Sequence, residues 1–198
     1  MKTLTGLAVA LLLLAGCGGG PDPDYYILGG NTANPAPISV PDRIGLAEVA
    51  LPSYARKDAI ATREGAHRVV RDDGHRWASP PAEMLTAALG RRLEDKTGAS
   101  VIARPFPRGV DPTIQVKVAF AHLLRTEDGG VEMAGQVVVL HHGTDGPAHV
   151  ERFAMTLPAR GVTYEDYMAS VSQGLDRLSD TIAVIVRRMP QIRQTPQG

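Results

Sequence analysis

Residues 114–120 read Ile114-Gln115-Val116-Lys117-Val118-Ala119-Phe120. Apolar side chains at 114, 116, 118 and 120 alternate with Gln115 and Lys117, the period of a strand that turns one face to a core and the other to water. Glu127-Asp128-Gly129-Gly130 then turns the chain into a second β-like stretch over 131–142. After residues 143–146 a third strand is expected from about 149 to 157. Three successive strands joined by turns this short pair as an antiparallel meander, because a parallel pair needs a long crossover.

On the C-terminal side of the meander, Tyr164, Met168, Val171, Leu175, Leu178, Ile182 and Ile185 step by four and three. That spacing predicts a helix from 164 to about 188 with one apolar stripe. Thr163 is placed to cap it, with Asp166 reaching back as in a capping box, and Pro190 stops it. The stripe is most simply the face packed on the sheet; a coiled-coil seam with a partner is the other geometry the spacing admits.

On the N-terminal side, a helix is expected from Pro80 to about Lys96, with Ser79 as N-cap and Thr97-Gly98 as its end. Leu85, Leu89 and Leu93 share one of its faces. Residues 59–63 and 67–71 read as a hairpin around Glu64-Gly65-Ala66, and residues 44–50 as a β-like run ended by Leu51-Pro52. Tyr25-Tyr26-Ile27-Leu28 makes a short first strand, followed by a loop rich in Pro, Gly and Asn to about residue 42. The fold class is α/β: a mixed sheet with an antiparallel meander and two long helices.

The chain opens with Met1-Lys2 and an uncharged run over residues 4–15. This is the length of a signal-peptide core and short of the ~20 residues a bilayer-crossing helix needs. The run ends in Leu14-Ala15-Gly16-Cys17, followed by three glycines, and Cys17 is the sole cysteine. A lone thiol forms no internal disulfide, so its use is external or covalent. The four residues look like a bacterial lipobox, in which the cysteine is acylated and becomes the new amino terminus; an ordinary signal peptide with an incidental cysteine is the alternative. Acylation with more than one chain suffices for stable anchoring. Residues 1–16 are then the signal peptide, 17–24 a lipidated tether, 25–188 one domain and 189–198 a flexible tail. The seven residues of the tether, 18–24, reach at most about 23 Å.

Removing residues 1–16 from the 198 leaves 182, enough for one domain with a real core. Basic and acidic residues balance at 21 each, so there is no basic stripe for nucleic acid. Without a second cysteine, burial alone must stabilise the fold outside the cytoplasm. No nucleophile elbow, phosphate loop or zinc-protease motif is present. His141 and His142 are strand neighbours facing opposite ways and cannot share one metal ion. Asp72-Asp73-Gly74-His75 is better explained as a turn after a strand than as a carboxylate–histidine pair. The expectation is a protein without catalytic residues, metal or cofactor. Trp77, the only tryptophan, stands just before a helix start and is read as a core plug, with an exposed binding anchor as the alternative.

The order of segments resembles the ABC-type transport auxiliary lipoproteins (PqiC/YmbA-like). The resemblance rests on the lipobox, Tyr25-Tyr26-Ile27-Leu28, Leu51-Pro52-Ser53-Tyr54 with Arg56, Ile60 and Arg63, and His75-Arg76-Trp77-Ala78-Ser79-Pro80. It covers nearly all of the mature chain, departing at Ser79-Pro80-Pro81-Ala82, where Glu-Pro-Leu is the family's pattern. It singles out Pro52, Tyr54, Trp77 and Pro80 as motif positions and Cys17 as the lipidation site. It implies a fold similar to the amino-terminal domain of TolB. It also implies a periplasm-facing outer-membrane lipoprotein, carrying palmitate or similar chains. Its implied partners are an MCE-domain protein and inner-membrane transporter components, and its implied role is lipid transport and membrane integrity. A lipid-binding carrier and a regulatory lipoprotein contacting cell-envelope enzymes are the alternatives, and self-association is left open.

Overall fold

The alternating stretch opens the longest strand among the described residues, and the remaining strands are arranged around it. The structure, a computed structural model, describes residues 21–29, 43–141, 146 and 148–189. Within them the strands are β1 (Asp24–Tyr26), β2 (Arg43–Leu46), β3 (Ala59–Glu64), β4 (Arg68–Trp77), β5 (Ser100–Ala103), β6 (Ile114–Arg125), β7 (Val131–His141) and β8 (His149–Leu157). Two helices, α1 (Pro81–Thr97) and α2 (Tyr164–Arg188), and a single 3-10 turn at Ser53–Ala55 complete the set.

β6 pairs antiparallel with β7 along its whole length, and β7 with β8, so the meander forms as the turns require. The other edge of β6 carries two short strands end to end. β2 runs parallel to its start, Ile44 opposite Ile114, and β3 touches its end, Thr62 opposite Arg125. Between them the backbone stays hydrogen-bonded to β6, with Ala50 N donating to Val118 O at 3.0 Å and Phe120 N to Ala50 O at 2.8 Å. β5 extends the sheet beyond β2, and the β3–β4 hairpin is extended by β1, parallel to β4 from Asp24 and His75 to Tyr26 and Trp77. The result is a mixed eight-stranded sheet.

The helices lie side by side, α2 over β7 and β8 and α1 over β5. Leu85, Leu89 and Leu93 of α1 and Val171, Leu175 and Ile182 of α2 are wholly buried with Val116, Val137 and Val139 of the sheet. Each such side chain contributes about 1.5–3 kcal/mol by leaving water. Arg92 to Asp176 and Lys96 to Asp180 tie the two helices along their exposed seam. α2 comes so close to β7 that a Cβ on Gly174 would overlap the sulfur of Met133. On the other face of the sheet, Phe106 and Pro112 occupy the space a side chain at Gly45 would take.

Several boundaries differ from the sequence expectation. Asp72-Asp73-Gly74-His75 is not a turn after β4 but a bulge within it: Ile60 faces Asp72 while neighbouring Ala59 faces Arg76. Asp72 Oδ1 accepts from Gly74 N at 2.9 Å, so the local Asx geometry survives, but β1 binds His75–Trp77 and keeps the chain extended. Ser79 is not the N-cap. Pro80 occupies that position without a side-chain hydrogen bond, and the helix begins at Pro81, which has no N–H needing a cap. β2 ends at Leu46, and β1 starts one residue early, at Asp24. β5 was not foreseen, because four residues are too few to show a period. The Thr163–Asp166 capping box and the left-handed Gly98 end of α1 form as read. The leader, Cys17, most of the loop after residue 29, His142 and residues 190–198 lie outside the described residues.

Candidate functional site

The two motif segments bracket the β3–β4 hairpin. Pro52 precedes the 3-10 turn, and its carbonyl accepts from Ala55 N at 2.9 Å. Tyr54 on that turn donates its hydroxyl to Ala121 O of β6 at 3.4 Å, and burial pushes its pKa up. Trp77 ends β4 at 4% exposure, and its ring meets Tyr167 of α2 edge-on, centroids 6.3 Å apart. Its backbone N–H donates to Asp58 O at 2.7 Å. Pro80 sits at the mouth of α1. Among these motif residues, the described contacts are with sheet and helix, as structural members of the fold.

A polar aromatic cluster forms where β1, β4, β6 and α2 meet. Tyr26 Oη and His75 Nδ1 are 2.9 Å apart, and the His75 ring stacks on Tyr164 with centroids 3.9 Å apart and planes 16° off parallel. Tyr164 donates its hydroxyl to Asp72 Oδ2 at 2.8 Å, while the Arg125 guanidinium lies 4.6 Å from the Tyr164 centroid. Burial, then the bond to Asp72 and its charge, push the Tyr164 pKa up to about 12. Burial raises Asp72, but hydrogen bonds from Tyr164 and Gly74 together with the charges of His75 and Arg125 outweigh it, leaving its pKa below the ordinary carboxylate value. Asp72 and His75 do come together, Oδ2 to Nε2 at 3.8 Å. The cluster ties β1 to β4 through Tyr26 and His75 and ties α2 to β4 through Tyr164 and Asp72.

His141 ends β7 facing inward at 9% exposure. Among the described residues no group of three or more His, Cys, Asp or Glu could hold a metal ion. Two concave surfaces lie away from the cluster. A groove of about 710 Å³ separates the end of α2 from the ends of β7 and β8, lined by His141, Ala148, Val184, Ile185 and Met189 with Arg188 at its rim. A shallower depression of about 520 Å³ crosses the open face of the meander over Ala119, Ala134, Gly135 and Ala154. Sequence reasoning missed both, and missed the pairing of Tyr26 with His75 and Tyr164, which no local pattern announces.

A search of curated proteins finds no match to the chain. Solved structures do match in shape. A crystal structure of an uncharacterized protein superposes with a TM-score of 0.70 at 20% identity, over 84% of this chain and 99% of the other. A Xanthomonas campestris protein superposes at 0.66 with 17% identity, over 82% and 94%. A looser likeness, 0.46 at 11% identity over 69% and 83%, is to the PelC dodecamer of Paraburkholderia phytofirmans. At these identities the first two superpositions establish a shared fold and nothing finer. The profile of one protein family, by contrast, matches residues 26–183, from the first strand almost to the end of α2. The chain belongs to the ABC-type transport auxiliary lipoprotein component family.

Proposed function

We propose that the mature protein is acylated on Cys17, faces the periplasm from the outer membrane, and is the non-catalytic auxiliary component of an MCE-type lipid transport system. Its partners are a membrane-anchored MCE-domain protein and the inner-membrane transporter, and its role is to receive the end of the MCE tunnel at the outer membrane. The carrying observation is that the family match spans the folded domain and begins nine residues after Cys17. Gly18 rather than Asp after the cysteine supports the outer membrane. No helix among the described residues is long and apolar enough to cross a membrane. The sheet with both helices on one face is in keeping with the likeness to the amino-terminal domain of TolB.

The test is Cys17→Ser in cells, with palmitate incorporation, membrane fractionation and crosslinking to the MCE-domain protein as readouts. Loss of all three is expected. An acylated wild-type chain that fractionates with the inner membrane, or never crosslinks to the MCE protein, refutes the proposal. A second reading, a lipid carrier, draws on the 710 Å³ groove; phospholipid copurifying with the Cys17→Ser protein would favour it.

A further inference from the structure

Tyr25 and Ile27 are 61% and 69% exposed, the most exposed pair of large apolar side chains lying close together in sequence among the described residues. Strand β1 is extended, so consecutive side chains leave on opposite faces, and the alternation of exposed and buried side chains continues past it through Ile27 and Leu28. Tyr26 turns inward to His75 and Tyr164, Leu28 enters the core, and residues 25 and 27 point outward together. A solvated edge strand ordinarily carries polar side chains there. Single exposed apolar residues need no explanation, but two side by side at one end of the fold do.

Their position in the chain says what covers them. Seven residues separate Cys17 from Tyr25. That span reaches about 26 Å when fully extended and about 15 Å as a flexible coil. We infer that Tyr25 and Ile27 seat in the interfacial layer of the lipid surface that holds the Cys17 anchor, so that β1 is a second membrane contact and orients the domain. The inference rests on the acylation of Cys17 proposed above. Tyrosine suits this layer because its ring is apolar and its hydroxyl polar. Two side chains could not hold a free protein on a bilayer, but the anchor makes their contact intramolecular and raises its effective concentration.

The neighbouring charges narrow the surface further. Asp22 and Asp24 flank the pair, Glu165 lines the same shallow cleft, and Arg76, opposite Tyr25 on β4, is ion-paired with Asp58 at 2.9 Å, which leaves the surroundings acidic. Acidic neighbours give no attraction to anionic headgroups, so the contact fits a zwitterionic surface and is insensitive to salt. With β1 at the membrane, β8 stands five strand spacings away across β4, β3, β6 and β7. At about 4.8 Å each this is roughly 24 Å. The groove beside β8 is therefore set back from that contact by the width of the sheet.

Gly29 offers a reporter, since a side chain there meets nothing within 4 Å. The acylated full-length Gly29→Cys protein, nitroxide-labelled, is placed in vesicles of phosphatidylcholine and phosphatidylethanolamine, with Val150→Cys on β8 as control. Mass spectrometry confirms that Cys17 is acylated. The label at residue 29 is expected to be open to oxygen and sheltered from a nickel chelate, at low and high salt alike, while the label at 150 meets the chelate freely. Adding Tyr25→Ser and Ile27→Ser should restore chelate access at residue 29 without changing the melting temperature. Equal chelate access at 29 and 150 with acylation intact overturns the inference and leaves the anchor standing. Shelter from both reagents with spin–spin broadening overturns it in favour of a second copy. An unacylated chain in the aqueous phase overturns the anchor reading and the inference with it.

Discussion

Replacing Trp77 with Ala removes one of the side chains that join β4 to α2. The ring is 4% exposed and meets Tyr167, itself buried, edge-on at 6.3 Å and 72°. A buried indole removes roughly 250 Å² from water, worth about 6 kcal/mol at ~25 cal/mol/Å² before relaxation. Measured tryptophan-to-alanine losses in cores are about 3–5 kcal/mol, since Ala retains part of the area and the cavity partly collapses. For a domain of this size each kcal/mol lowers Tm by about 2–4 °C, so the expected drop is about 6–20 °C. Trp77→Phe should lose distinctly less, because an aromatic edge still reaches Tyr167. A double-mutant cycle with Tyr167→Leu should return a coupling of about 0.5–1.5 kcal/mol. Thermal and urea melts followed by far-UV circular dichroism measure all five proteins. If Trp77→Ala melts within about 2 °C of the parent, the ring is no core plug, and loss of crosslinking to the MCE partner would make it a binding anchor.

Gly135→Ala is expected to destabilise by at least ~1–3 kcal/mol, because the new Cβ would lie 2.1 Å from Ala119 O and 2.9 Å from Phe120 Cα, both backbone of β6; an unchanged urea midpoint would contradict this. In the folded state the Tyr164 pKa is raised from 10.0 to about 12, so its stabilisation is present below pH 10 and lost as pH rises toward 12. Urea melts across that range should show a slope that Tyr164→Phe diminishes, and identical slopes in both proteins would refute the assignment. Inserting a Gly/Ser segment after Gly20 should give a graded loss of membrane-barrier function with folding and acylation intact, since effective concentration falls roughly as the −3/2 power of linker length. Full detergent resistance with the long tether would argue for a diffusing carrier.

What the sequence by itself determined is what local chemistry decides. The period of two at 114–120 specifies β6, and the fours and threes from Tyr164 specify α2, because each pattern only needs neighbours along the chain to share a face. The capping box at Thr163 is legible for the same reason, its partners being three residues apart. The lipobox is read by enzymes acting on an extended chain, so it too is a linear signal. What only the tertiary structure decided is which strands meet and at what register. β2 and β3 share one edge of β6, a placement set by parallel pairing across long connections and not by any local period. The same holds for β1, whose pairing with His75–Trp77 overrode the turn propensity of Asp73-Gly74. Tyr26 lies 49 residues from His75, and Tyr164 lies 92 from Asp72. Contacts at such separations form only once the packing of the sheet and helices has closed the loops between them, and the free energy that selects one closure is spread over the whole core.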